Sequence, residues 1–176
     1  MKIRLVVLPP TDIRKRTAEW AKKISKIAPH HFVVDNKNLL PHITIFSMLL
    51  EEKQIPELEK KIKKIIKAFK TIKLELKKFE SYEGVWLMWS VKPSLELSKL
   101  LKALYKQAVT IDHSAVKILK PYRPHITFTK FRSTGKVERA LKEFSDMKRV
   151  FTVSRVAIAY DKDTQVPGII KSFKLK

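Results

Sequence analysis

The chain has 176 residues, 44% of them hydrophobic, with 38 Lys and Arg against 17 Asp and Glu, a net charge of +21 and no Cys. This hydrophobic content suits one substantial core, or two small lobes sharing one, and not a disordered chain. The absence of Cys excludes disulfides and thiolate metal sites, no apolar run approaches the ~20 residues that cross a bilayer, and the charge favours an anionic partner such as RNA or a nucleotide. Only 3 Gly occur, no Ser/Gly linker is present, and Met1-Lys2-Ile3-Arg4 does not resemble a leader. The expectation is a single, cytoplasmic, monomeric domain over 1–176.

Ile3 to Leu8 is a short apolar run of strand type that ends at Pro9-Pro10. Thr11 is suited to an N-cap, and a helical pattern follows from about Asp12 to Ala28, with Ile13, Thr17, Trp20, Ala21, Ile24 and Ala28 on one stripe. His30-His31 after Pro29 reads as loop. Pro41-His42-Ile43-Thr44 then sits in an apolar run with Leu39-Leu40 before it and Ile45-Phe46 after it. In a strand, residues two apart share a face, so His42 and Thr44 look one way while Ile43 and Ile45 look into a core. Pro56 starts a second helix, apolar along Leu58, Ile62, Ile65, Ile66 and Phe69. The lysines of the run from Lys60 to Lys67 lie on its solvated face. Ile72, Leu74 and Leu76, alternating with Lys73, Glu75 and Lys77, form the next strand.

The same order then begins again. Pro124-His125-Ile126-Thr127 repeats the first tetrapeptide 83 residues later. That offset lays Ile3–Leu8 on Trp86–Val91 and Pro10-Thr11 on Pro93-Ser94. A helix over about Leu95 to Ala108 follows, apolar at Leu97, Leu100, Leu101, Leu104 and Ala108. Beyond the second motif come a helical stripe of Val137, Ala140, Leu141, Phe144 and Met147, a strand through Val156, Ile158 and Tyr160, and a closing strand from Ile169 to Leu175. Trp86 and Trp89, in an apolar strand, read as core.

One His in a strand is usually structural. Two His-x-Thr pairs at matched places in a repeat would bury four polar side chains without partners unless they faced a shared polar cleft. A metal site lacks ligands, since neither motif carries Cys, Asp or Glu on its own face, and His113 reads as loop. No nucleophile elbow, phosphate loop or dinucleotide glycine pattern occurs, so no cofactor is implied. Two imidazoles can serve as base and acid near neutral pH, one neutral and one protonated, and hydroxyls and cations can hold the equatorial oxygens of a phosphodiester. Arg123 and Lys130 beside the second motif are candidate cations, and Tyr122 could stack on a base.

The paired motifs, with the strands Ile3–Pro10 and Trp86–Pro93 and the run Arg123-Pro124-His125-Ile126-Thr127-Phe128, resemble the 2H phosphoesterases. The nearer relatives are the 2′-5′ RNA ligase-like proteins, or RNA 2′,3′-cyclic phosphodiesterases. The resemblance implies an α+β, bilobal, duplicated fold, with two antiparallel sheets lining a central cleft and helices packed outside. The lobes would fall roughly at 1–80 and 84–165, with intertwining allowed. It implies a metal-independent enzyme that opens a 2′,3′-cyclic phosphate on an RNA end or small nucleotide to a phosphomonoester, with reversible 2′-5′ RNA ligase activity as a further expectation. His42 would be the general acid and His125 the general base, with Thr44 and Thr127 on the phosphate and Tyr122, Arg123 and Lys130 binding substrate. The alternative is an RNA- or nucleotide-binding module with little turnover. Two departures from the family pattern bear on substrate: no glycine turn follows the first motif, and Lys130 stands where Arg is common.

Overall fold

The computed structural model describes residues 1–35, 40–112, 116–117, 122–133, 137–144, 149–161 and 167–176. Leu39, His113 and Met147 of the sequence reading lie outside them. The described elements run β1 (Lys2–Leu8), α1 (Thr11–Ile24), β2 (His30–Val33), β3 (Ile43–Leu49), α2 (Ile55–Ile66), β4 (Ile72–Tyr82), β5 (Trp86–Val91), α3 (Leu95–Ala108), β6 (Val116–Lys117), β7 (His125–Phe131), α4 (Val137–Glu143), β8 (Arg149–Val153), β9 (Arg155–Asp161) and β10 (Pro167–Lys174). None of the described helices is long and apolar enough to cross a membrane.

The strands form two sheets, ordered β10-β9-β1-β3-β6 and β2-β7-β5-β4-β8, and the strand pairs in both are antiparallel. Read backwards, the second order repeats the first: β4, β5, β7 and β2 stand where β9, β1, β3 and β6 stand. The fold is therefore duplicated, and its parts are exchanged between the sequence halves. β4, from the first half, joins the second sheet, and β9, from the second half, joins the first. The helices cross as well. α1 follows β1 but packs on β7 and β2 of the second sheet, whereas α3 follows β5 but packs on β3 and against α2.

Several elements differ from their sequence expectations. Thr11 is the first residue of α1 and not its cap; Pro10 holds that place without a side-chain hydrogen bond, and Thr11 Oγ1 accepts from Arg14 instead. Ser94 does cap α3, accepting from the Leu97 amide at 3.0 Å. α1 stops at Ile24, four residues before Ala28, with Ser25 donating back to the Lys22 carbonyl and Pro29 unable to extend the helix. His30 and His31 belong to β2 and are not loop. The short strands β2, β6 and β8 are not among the expected elements, although Val150 to Val153 of β8 is a run of strand type.

The outer face of the second sheet is closed by an aromatic cluster. Trp20 of α1 lies 5.0 Å from Trp89, 6.1 Å from Phe79 and 5.1 Å from Phe144, centroid to centroid. Phe128 meets Trp89 edge-on at 4.7 Å and Phe79 at 5.3 Å. Trp89 is wholly buried, as expected. Because Trp20 is the side chain through which α1 reaches across to the second lobe, its removal should cost about 3 kcal/mol. In thermal unfolding, Trp20→Ala is expected to lower Tm by roughly 6–12 °C, while loss of the α3 cap in Ser94→Ala should cost only about 1 kcal/mol.

Candidate active site

Each motif opens on a proline whose missing N–H suits the first residue of a strand. Proline also holds the residue before it extended. Those preceding residues, Leu40 and Arg123, present their carbonyls to the histidine that follows the proline. His42 Nδ1 lies 2.8 Å from the Leu40 carbonyl, and His125 Nδ1 lies 2.8 Å from the Arg123 carbonyl. A carbonyl only accepts, so the hydrogen bond assigns the proton to Nδ1 in both rings and the basic lone pair of the neutral form to Nε2. The two histidines are thus held in the same tautomer by the same device.

Past the histidines the alternation holds for three residues and then shifts. Ile43 and Ile45 are buried while His42 and Thr44 are half-buried; Ile126 and Phe128 are buried while His125 and Thr127 are half-buried. Both strands then carry a β-bulge. Val6 pairs with Thr44 but Leu5 with Phe46, leaving Ile45 as the extra residue. Met88 pairs with Thr127 but Leu87 with Thr129, leaving Phe128 as the extra residue. The bulges fall immediately after the threonines and let two consecutive residues, Ile45-Phe46 and Phe128-Thr129, turn inward. Buried Thr129 donates its hydroxyl to the Phe32 carbonyl, tying β2 to the motif strand.

Residues paired across a ladder share a face. In the second sheet the face of His125 and Thr127 therefore also carries Ser90, Met88, Lys78, Glu80, Trp86, Tyr82, Lys130 and Phe32. Lys130 Nζ stands 4.9 Å over the Trp86 ring, which packs on Phe32 at 5.7 Å. Trp86 is thus on the cleft face and not in the core where sequence reasoning put it. In the first sheet the face of Thr44 carries Val6, Arg4, Ser47, Ala157, Ala159 and Ser172. Arg4 and Ser47 stand where Trp86 and Lys130 stand in the second sheet. Sequence reasoning missed Arg4, Ser47 and Glu80; the bulge register that places them leaves no mark in the sequence.

The two motif strands come together. Cα atoms of β3 and β7 approach within 8 Å, although the strands belong to different sheets. Tyr122, ahead of β7, donates its hydroxyl to the Thr44 carbonyl at 3.1 Å. Its ring joins the periphery of the core and burial raises its pKa, so the phenol stays protonated and keeps donating. That contact fixes one motif to the other. Arg123 is exposed, and its carbonyl holds His125.

Burial lowers the His125 pKa below the ordinary histidine value; the bond to the Arg123 carbonyl and the negative charge of Glu80 pull it up, but by less. Glu80 reaches this position through its register with Met88.

A duplicated α+β fold with one His-x-Thr strand in each of two apposed antiparallel sheets is that of a 2H phosphoesterase. The chain belongs to the 2′-5′ RNA ligase superfamily, whose family model matches residues 9–165. Three solved structures illustrate the likeness. TT0787 of Thermus thermophilus superposes with a TM-score of 0.77 at 14% identity, over 99% of this chain and 98% of that one. E. coli LigT complexed with 3′-AMP gives 0.72 at 14% identity, over 99% and 98%. The MHV ns2 PDE domain gives 0.63 at 11% identity, over 99% and 100%. No curated protein matches the chain in sequence.

Two measurements test this geometry. In an NMR titration the His125 imidazole is expected to titrate below 6.5, and Glu80→Gln should move it further down, because the lost carboxylate no longer favours the imidazolium; a rise in the variant would contradict the register. Tyr122→Phe should cost about 1 kcal/mol in urea unfolding, and a hydrogen-exchange increase at the β3–β7 junction should accompany it.

Proposed function

We propose that the chain is a metal-independent cyclic phosphodiesterase that opens a 2′,3′-cyclic phosphate, on an RNA end or a small nucleotide, to a phosphomonoester. The observation that carries this reading is the matched pair of histidines, each with Nδ1 held by the carbonyl two residues back and Nε2 assigned the lone pair. Family membership supports a phosphoesterase, and the complex of the LigT neighbour with 3′-AMP supports a nucleotide-sized ligand.

In this reading, the neutral His125 takes a proton from water as it attacks phosphorus in line. Its lowered pKa suits a base that is neutral at physiological pH. His42, protonated, gives its Nε2 proton to the departing ribose oxygen. The oxygen keeps the electron pair of the broken P–O bond, and the product is a monoester with one free hydroxyl. Thr44 and Thr127, one residue from the bulges, donate hydroxyls to the non-bridging oxygens, and Lys130 offsets their charge. Arg123 is exposed at the mouth, where it meets substrate as a charge, and Tyr122 acts by holding Thr44 and not by stacking. With a 5′-hydroxyl in place of water, the same in-line attack would break the bond between phosphorus and the 3′-oxygen, which takes the proton, and leave a 2′-5′ linkage.

The alternative, a binding module with little turnover, draws on the net charge of +21. An RNA oligonucleotide ending in a 2′,3′-cyclic phosphate, incubated with protein in EDTA, separates the two. Turnover is expected in wild type, with a loss of about 10²–10⁴-fold in His42→Ala and in His125→Ala and little change in binding. Mapping the product phosphate gives the polarity of the pair. Wild-type binding without turnover, insensitive to either histidine, would favour the binding module.

A further inference from the structure

The two faces of the cleft differ in charge. The second sheet presents Lys78 and Lys130 but also Glu80 beside His125. Along the row beside His42, the first sheet presents cations and no carboxylate among its described side chains. Val7 pairs with Ile43, so continuing that register by one residue sets Leu8 opposite His42. Leu8 pairs with Arg155, and Arg155 with Lys174. One row therefore runs His42, Leu8, Arg155, Lys174 across the sheet to its edge strand. At ~4.8 Å per strand it spans roughly 14 Å. The neighbouring residues confirm the facing: Val156, Ile158 and Phe173 belong to the contiguous core, and Arg155 and Lys174 are exposed.

Around the edge strand, on the helix-covered side of the sheet, lies a second basic feature. A groove of about 550 Å³ at the sheet edge is lined by Lys63, Lys67, Lys174 and Lys176 over a floor of Ile66, Phe173 and Leu175. Lys176 is held there by its backbone, whose N–H donates to the Phe69 carbonyl and whose carbonyl accepts from the Thr71 amide, both at 3.0 Å. Among the described residues, Lys63, Lys67, Arg155, Lys174 and Lys176 have no ion-pair partner, whereas Lys61 and Lys171 nearby are paired with Glu57 and Glu59. Lysines in the last turn of α2 also offset the helix dipole. Arg155 and Lys174, on strands, gain nothing from it.

We infer that the row from His42 through Arg155 to Lys174, with the lysine groove beyond it, is a track for the phosphodiester backbone of a single-stranded RNA whose terminal cyclic phosphate sits between the histidines. This rests on the proposed reaction and narrows its substrate class to a polynucleotide. The chain leaves over the first sheet, because the carboxylate of Glu80 stands on the other. A mononucleotide held at the histidines stops short of Lys174, roughly 14 Å away, so the far end of the track acts on length and not on chemistry.

The test compares 2′,3′-cyclic AMP with a hexaadenylate ending in a 2′,3′-cyclic phosphate, in wild type, in Arg155→Gln/Lys174→Gln and in Lys63→Gln/Lys67→Gln. Each pair is expected to lower kcat/KM for the hexanucleotide about tenfold, and to reduce the magnitude of its log–log salt slope by ~1.4. Turnover of cyclic AMP should stay within about twofold, since neither pair reaches the cyclic phosphate. Equal losses on both substrates, or no loss on the hexanucleotide, would overturn the track. If wild type turns over neither substrate, the proposed reaction fails, and fluorescence anisotropy with a labelled hexanucleotide judges the track by itself. Weaker, less salt-sensitive binding in both pairs sustains it, and unchanged binding rejects it.

Discussion

The exchange of β4 and β9, and the crossing of α1 and α3, is the constraint on which the rest of the molecule depends. Each sequence half supplies the central strand pair of one sheet, β1–β3 or β5–β7, yet neither completes that sheet or covers it. The first sheet needs β9 beside β1; the second needs β4 beside β5 and Trp20 against its outer face. Four covalent crossings therefore hold the sheets at one relative position. The Tyr122–Thr44 hydrogen bond adds a direct link at the level of the motifs. The relative position of the two His-x-Thr strands is therefore set by folding and not at the moment of binding.

Local order at the site comes from short-range stereochemistry. The proline of each tetrapeptide extends the residue before it, the carbonyl of that residue fixes the ring, and the bulge after the threonine redirects the strand. The bulge residue Phe128 is driven into the Trp89–Phe79 cluster, so the strand that carries His125 and Thr127 is anchored by a wholly buried aromatic side chain. The tautomer and the face of each histidine thus follow from the five residues around it.

How far the sequence could be read follows from the same features. The alternation His42/Thr44 against Ile43/Ile45, and its copy, shows directly because only one residue in two can be apolar on a half-solvated strand. It stops being readable at Ile45-Phe46, where two adjacent apolar residues give no sign that one is a bulge. A slip of one residue reverses every face beyond it. Arg4 and Trp86 illustrate the effect: the 83-residue offset that aligns the motifs does not align β1 with β5. There the ladders match Val6–Thr44 with Met88–Thr127, an offset of 82, and the burial of residues 5–9 then repeats that of 87–91 position by position. With the wrong offset, Arg4 falls on the core position Leu87 and Trp86 is taken for core. Strands as short as His30–Val33 and Val116–Lys117 are held by pairing to β7 and β3, and carry no periodicity long enough to read.

Duplication by itself would leave the cleft without polarity. Two imidazoles in equivalent surroundings titrate together, and acid–base chemistry across one phosphorus needs them in opposite states. The symmetry is broken by side chains on the ladder rows, not by the backbone. Beside Met88 stands Glu80, whereas beside Val6, the equivalent position, stands Ala157. Lys130 over Trp86 in the second sheet has Ser47 beside Arg4 as its equivalent in the first. Glu80 acts on His125, against the desolvation that lowers its pKa, whereas Ala157 stands at the matching ladder position of the first sheet. The carboxylate limits how far burial lowers the pKa of His125. The fold fixes where the two rings stand, and the substitutions accumulated on one face of each sheet give them unequal environments.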